Sequence, residues 1–163
     1  MLFRSHGLSD AGKDLDRVVT VLSVKERTIA GVLEALRSGH VYAVGAGGPH
    51  VQLRLDEFRI VCQGGAKSAS VGDRLDPAGA RDLMVHFSIT ATDRGRHPVK
   101  VRVIRSGQIL AQLAGQTPFR IDWPDTHAPI AERITYRVEI TGSGELLSNP
   151  IVVEPILPLK AMS

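Results

Sequence analysis

Two stretches enclose the β-rich region of this chain: residues 32–43 read VLEALRSGHVYA, and residues 147–153 read LSNPIVV. The first stretch has the pattern of a helix end that feeds a strand, and a glycine-rich link at residues 45–49 follows it. The second has the pattern of a strand that closes a sheet. Between them the apolar residues recur with a period of two, which indicates β-strands.

Upstream of the first stretch, the sequence predicts a strand at residues 18–22 and a helix over residues 24–38. Ser23 and Glu26 have the spacing of a capping box, in which each side chain bonds the backbone N–H of the other. Gly39 follows the last apolar position, where a left-handed cap is expected, and Arg37 suits the negative end of the helix dipole. One apolar face is predicted for this helix, formed by Ile29, Val32, Leu33 and Leu36.

Strict alternation predicts several short strands with one buried and one exposed face. Seven or eight strands at this spacing favour a mostly β fold, an antiparallel immunoglobulin-like β-sandwich. The predicted strands lie within residues 51–62, 83–91, 99–103, 109–113, 119–123, 134–140 and 151–153. The sequence divides into a strand-helix segment at residues 1–44, a β-sandwich domain at residues 45–155 and a tail at residues 156–163.

Composition narrows the function classes. The chain has 163 residues, a net charge of +3 and 4% aromatic residues. Its basic residues are scattered rather than gathered into a stripe, so no nucleic-acid partner is expected. No apolar run approaches the length of a membrane span, and the N-terminus lacks the apolar region of a secretory signal, so we expect a cytoplasmic protein without membrane contact. The single cysteine, Cys62, alternates with apolar residues and is expected to be a buried small hydrophobe rather than a reactive thiol.

Several phrases in a fixed order resemble the C-terminal part of PHP-superfamily (polymerase and histidinol phosphatase) metallohydrolases. The likeness is to the branch in which a β-sandwich follows the metal-bearing β/α barrel. It covers nearly the whole of this chain but only the tail of a full-length member, so the chain resembles a truncated form of that family. Besides the two opening stretches, the second of which contains SNPIV at residues 148–152, the phrases are VGDRL at 71–75, VKVRVIRSG at 99–107 and YRVEI at 136–140. The resemblance implies that residues 1–44 correspond to the end of the barrel.

The resemblance also defines the one candidate metal ligand. The family's barrel binds divalent metal ions (Mn, Zn or Fe) and hydrolyses phosphoesters, with most ligands in upstream H-x-H motifs that this sequence lacks. Its last metal motif reads S-D-x-H, and here the chain reads Ser9-Asp10-Ala11-Gly12. Asp10 matches the aspartate, but Gly12 stands in the histidine position and offers no donor. Asp10 is therefore predicted to be a remnant metal ligand. No catalytic residue, no cofactor-binding residue and no cofactor are expected for this chain.

Two functions follow from these observations. The first is a non-catalytic accessory, structural or binding β-sandwich module derived from a PHP-type phosphoesterase. It would form a homodimer or dock on a barrel-type partner through the apolar face of helix 24–38. The alternative is part of a metal-dependent hydrolase that upstream sequence or another chain completes. Trp123 and Tyr136 could form a small ligand patch, although large aromatic residues at alternating positions more often belong to a core.

Overall fold

The computed structural model describes residues 2–4, 18–45, 51–64 and 67–155, and for residues 2–4 only the backbone. Asp10 and Gly12 lie outside these residues. One helix and thirteen strands are present in the described part. In chain order they are β1 Leu2–Arg4, β2 Val18–Leu22, α1 Ile29–Ser38, β3 Val41–Gly45, β4 Leu53–Cys62, β5 Ser68–Ser70, β6 Arg74–Leu75, β7 Leu83–Ala91, β8 Pro98–Arg105, β9 Gln108–Gln116, β10 Phe119–Asp125, β11 Ile134–Gly142, β12 Glu145–Ser148 and β13 Ile151–Val153.

The strands form two sheets. The larger one runs β1-β2-β3-β12-β11-β13-β6, and the hairpin β8–β9 joins it because β8 also pairs with β11. The smaller sheet runs β10-β7-β4-β5. All pairs are antiparallel except β13 with β6, so the expected mostly β, antiparallel fold is confirmed.

Both sheets contribute to one hydrophobic core. The smaller sheet supplies Val85, Phe87 and Ile89 from β7, and the larger sheet supplies Val101 and Val138, all of them fully buried. In each strand the buried residues alternate with more exposed ones, except that the consecutive Val103 and Ile104 of β8 are both buried. The alternation in the sequence therefore predicted correctly which side chains of these strands face the core.

A buried polar cluster connects the two sheets. Asp125 ends β10 of the smaller sheet, and its carboxylate accepts hydrogen bonds from Arg105 Nη1 at 2.7 Å and from the Tyr136 hydroxyl at 2.6 Å. Arg105 and Tyr136 lie opposite each other on β8 and β11 of the larger sheet. Burial, together with the bond to Asp125, raises the pKa of Tyr136, so the phenol stays a neutral donor. Tyr136 is thus a core residue.

The helix begins later than the sequence predicts. It runs from Ile29 to Ser38, and its N-cap is Thr28, whose hydroxyl accepts from the Gly31 N–H at 3.1 Å. The expected capping box at Ser23 and Glu26 is wrong, because the Ser23 N–H instead donates to the His40 carbonyl at 2.9 Å. That bond holds Ser23 at the end of the β2–β3 pair, and the chain bends over residues 25–28 before it coils. The C-terminal end is as predicted, with Gly39 at φ 72°.

The strands on either side of α1 are antiparallel neighbours. Val18 pairs with Gly45 and Leu22 pairs with Val41. Successive strands of a β/α barrel are parallel, so the likeness of residues 1–44 to the end of a barrel is not confirmed. Moreover, β3 pairs with β12, so one sheet contains strands from both sides of the predicted division between residues 44 and 45. The division into domains stays a prediction.

Candidate functional site

The exposed face of α1 is the first candidate site. Ile29 is 83% exposed, Leu33 45% and Leu36 52%. Their spacing of four and three residues places them on one side of the helix. We call these three residues the apolar stripe. On the opposite side Ala35 is only 2% exposed, and the helix contacts β2. The helix is therefore attached by one side and presents a row of large aliphatic side chains on the other.

The end of α1 is held rigidly by two of the phrases that define the resemblance. From the SNP phrase, Asn149 Nδ2 donates to the Gly39 carbonyl at 3.0 Å. From the VGDRL phrase, Gly72 packs so closely that a Cβ added there would lie 2.4 Å from the carbonyl carbon and oxygen of Gly39. The Gly72 N–H also donates to the Pro150 carbonyl at 3.2 Å, which ties the two phrases together. These contacts fix the direction of the helix, and hence of the apolar stripe, relative to the larger sheet.

A cleft of about 420 Å³ is the second candidate site. It lies beside the β2–α1 connection and against β4 and β5. On its wall His40 Nε2 lies 2.7 Å from Asp73 Oδ1, and Asp73 Oδ2 accepts from the Ser70 N–H at 2.9 Å. The carboxylate therefore orients the imidazole, a contact between residues 33 positions apart that the sequence did not reveal. Tyr42 also lines the cleft, and burial raises the pKa of its hydroxyl.

The charges around this cleft are mixed. Lys25 and Arg59 carry positive charge, and Asp56, Glu57 and Asp73 carry negative charge. Glu57 forms an ion pair with Arg59 at 3.0 Å. Asp56 forms an ion pair at 2.6 Å with Arg54, which does not line the cleft. A cleft lined by charges of one sign concentrates ions of the opposite sign. The cleft lining does not provide one, so it favours no class of charged ligand.

The described histidines lie apart from one another. His40 contacts Asp73, His86 contacts Asp122 at 2.5 Å, His97 contacts Asp93 at 2.9 Å, and His127 contacts Thr126 at 3.0 Å. Within the described ranges no group of three His, Cys, Asp or Glu side chains converges. The assignment of Asp10 as a metal ligand lies outside the described residues and stays a prediction.

The remaining candidate side chains belong to the core. Cys62 is 3% exposed, and burial raises the pKa of its thiol, which confirms the expectation of a buried small hydrophobe. Trp123 is partly buried and packs against the core cluster. Tyr136 is fully buried and bonded to Asp125, so the two aromatic residues form no exposed patch.

No protein-family model matches the chain, and no curated protein matches it. Among the described residues, no helix is long and apolar enough to cross a membrane. The PHP resemblance and the cytoplasmic location therefore stay predictions.

Proposed function

We propose that the chain is a non-catalytic accessory β-sandwich module that docks on a β/α-barrel partner through the apolar stripe of α1. The observation that carries this proposal is the exposure of Ile29, Leu33 and Leu36 on a helix whose end is held in place by Asn149 and Gly72. An amphipathic helix normally buries such a row of side chains. A PHP-type origin and an immunoglobulin-like arrangement of the strands are part of the same proposal.

The stripe alone is too small to hold a two-fold dimer together. The exposed parts of the three side chains add up to about two whole aliphatic side chains, on the order of 200 Å² of apolar surface. A stable two-fold dimer needs roughly 800 Å² on each partner. Covering the stripe yields about 3–6 kcal/mol, whereas association costs about 4–15 kcal/mol. Such a contact holds a separate partner only if further contacts with the same partner add to it.

A matched pair of substitutions tests the docking surface. Leu33 in α1 and Leu147 in β12 are both 45% exposed, so Leu33→Lys and Leu147→Lys add the same charge at equally exposed leucines. Each variant is co-expressed with a PHP-type barrel domain that lacks its own sandwich. We expect the wild type and Leu147→Lys to co-purify with the barrel and Leu33→Lys to lose it. Equal retention by both variants, equal loss in both, or no binding by the wild type would each contradict the proposal.

A measurement of bound metal and of activity tests whether the chain is non-catalytic, as proposed. The purified chain is incubated with manganese, zinc or iron, its metal content is measured, and a generic phosphodiester is offered as substrate. We expect neither stoichiometric metal nor turnover. Stoichiometric metal with turnover that disappears in Asp10→Ala would support the alternative, in which the chain is part of a metal-dependent hydrolase, and would refute the accessory role.

A further inference from the structure

Strand β9 has an unpaired outer edge among the described residues. It pairs on one side with β8, from Pro98↔Gln116 to Arg105↔Gln108, and no described strand pairs with its other side. At nine residues it is the longest of the described edge strands. The backbone N–H and C=O groups along such an edge are a template on which another strand can pair.

The sequence of β9 lacks the usual features that prevent pairing. Its nine residues, QILAQLAGQ, include no charged residue and no proline. By contrast, β10 at the edge of the smaller sheet carries Arg120, Asp122 and Pro124, and charge and proline both discourage pairing. The remaining described edge strands have two or three residues. The one irregularity of β9 is a bulge at Leu110, near its start.

Five of the nine residues of β9 are exposed. They are Gln108, Ile109, Gln112, Ala114 and Gln116, and Ile109 is 55% exposed. Gly115 is covered by the ring of Phe119, since a Cβ there would lie 2.3 Å from that ring. An aromatic ring over a glycine stabilises a weak point of an edge strand. The strand is therefore an ordered surface for pairing.

The order of residues in β9 suits pairing with itself. Gln112 stands at the centre of the strand, and the bulge at Leu110 separates it from Gln108, so an antiparallel copy centred on Gln112 places the two Gln112 side chains opposite each other. A glutamine side chain has both donors and an acceptor, so it can bond to its own copy. In this arrangement no two like charges lie opposite each other. Like charges at opposing positions would destabilise the pair.

Neighbouring charges do not oppose the arrangement. Arg102 of β8 lies directly beside Gln112 and is the exposed cation nearest to the centre. In the paired arrangement three strand spacings, about 14 Å, separate Arg102 from its copy. That distance exceeds the screening length of roughly 8 Å at physiological salt. We propose that β9 pairs antiparallel with β9 of a second copy of this chain, centred on Gln112, and extends the larger sheet across a two-fold dimer.

Single cysteines test the register directly. In an antiparallel pair, opposing Cα atoms lie about 4.5–5.5 Å apart, within the range of about 4.4–6.8 Å that a disulfide spans. Gln112→Cys should therefore form a covalent dimer on oxidation. Gln108→Cys should not, because two copies of residue 108 lie about 27 Å apart in this register. The native Cys62 is buried and does not compete. Equal cross-linking of both variants, or none with Gln112→Cys, would overturn the proposal.

Sedimentation velocity provides the second test. The wild type is expected to dimerise, and Gln112→Lys, which opposes two like charges at the two-fold axis, should raise the dissociation constant about tenfold or more. Gln63→Lys adds the same charge at an exposed turn and should leave the dimer unchanged. A monomeric wild type, or a dimer that Leu33→Lys dissolves and Gln112→Lys does not, would refute the β9 contact. Neither outcome depends on whether the apolar stripe binds a barrel, so the two proposals fail separately.

Discussion

Replacing Asp125 by alanine is expected to remove about 3–5 kcal/mol from the free energy of unfolding. Asp125 is the acceptor at the centre of the cluster that joins the two sheets, and its side chain is 2% exposed. Without it, the Arg105 guanidinium loses both bonds at 2.7 Å and the fully buried Tyr136 hydroxyl loses its partner at 2.6 Å.

The magnitude follows from the burial of the two donors. A buried hydroxyl left without an acceptor costs about 1–3 kcal/mol. Arg105 is 23% exposed, so its guanidinium can recover part of its hydration, and the total stays within the range for breaking a buried pair. Asp125→Asn keeps one acceptor for the tyrosine and should lose less. Tyr136→Phe removes only one bond and should also lose less than Asp125→Ala.

Urea unfolding monitored by circular dichroism measures the loss. At about 2–4 °C per kcal/mol for a chain of this size, Asp125→Ala should also melt roughly 6–20 °C below the wild type. Asp122→Ala is the matched control, because Asp122 lies on the same strand with its side chain 48% exposed, and losing its surface contact with His86 should change stability by less than about 1 kcal/mol. A loss below 1 kcal/mol in Asp125→Ala, or equal losses in both variants, would refute this account of the cluster.

Three further predictions concern single positions. Gly72→Ala should lower the free energy of unfolding in urea by about 2–5 kcal/mol, because φ is +84° and the new Cβ would meet the Gly39 backbone. Gly79→Ala, at φ +82° with no atom within 4 Å of the new Cβ, should lower it by only about 1–2 kcal/mol. Equal losses in the two variants would contradict the close approach of Gly72 to Gly39. The pKa of Tyr136 is raised in the folded protein, so this residue contributes its full stabilisation below pH ~10 and less at higher pH. Above pH ~10 the free energy of unfolding should fall by up to about 1.4 kcal/mol per pH unit. The same dependence on pH in Tyr136→Phe would contradict this. The buried Cys62 thiol, whose pKa is raised, should react with a thiol reagent only on the timescale of unfolding, and rapid reaction in the native protein would contradict its burial.

Much of the strand structure could be predicted from periodicity alone. The limits of β7 and β13 match the predicted residues 83–91 and 151–153. Alternation reports which side chains a sheet buries, so it succeeds where a strand has one face on the core. It fails for β5 and β6, which have three and two residues and are too short to show a period. It also underestimated β9, whose edge position leaves both faces partly exposed.

The start of the helix could not be predicted because two local signals compete. Ser23 and Glu26 have capping-box spacing, and Thr28 offers an equally suitable hydroxyl five residues later. The bond from the Ser23 N–H to the His40 carbonyl decides between them, and it joins positions distant in sequence. The His40–Asp73 pair was missed for the same reason, since only the folded chain brings these residues together. The apolar face of the helix was predicted, but the sequence could not show which of its residues stay exposed.

Amide hydrogen exchange tests the central claim, that the apolar stripe is a docking surface, most directly. The chain is measured alone and with the barrel domain, and exchange is compared between residues 29–38 and residues 108–116. Docking through the stripe predicts slower exchange across α1 in the presence of the barrel, with β9 unchanged and with no such slowing in Leu33→Lys. Unchanged exchange in α1, or slowing confined to another surface, would contradict the claim.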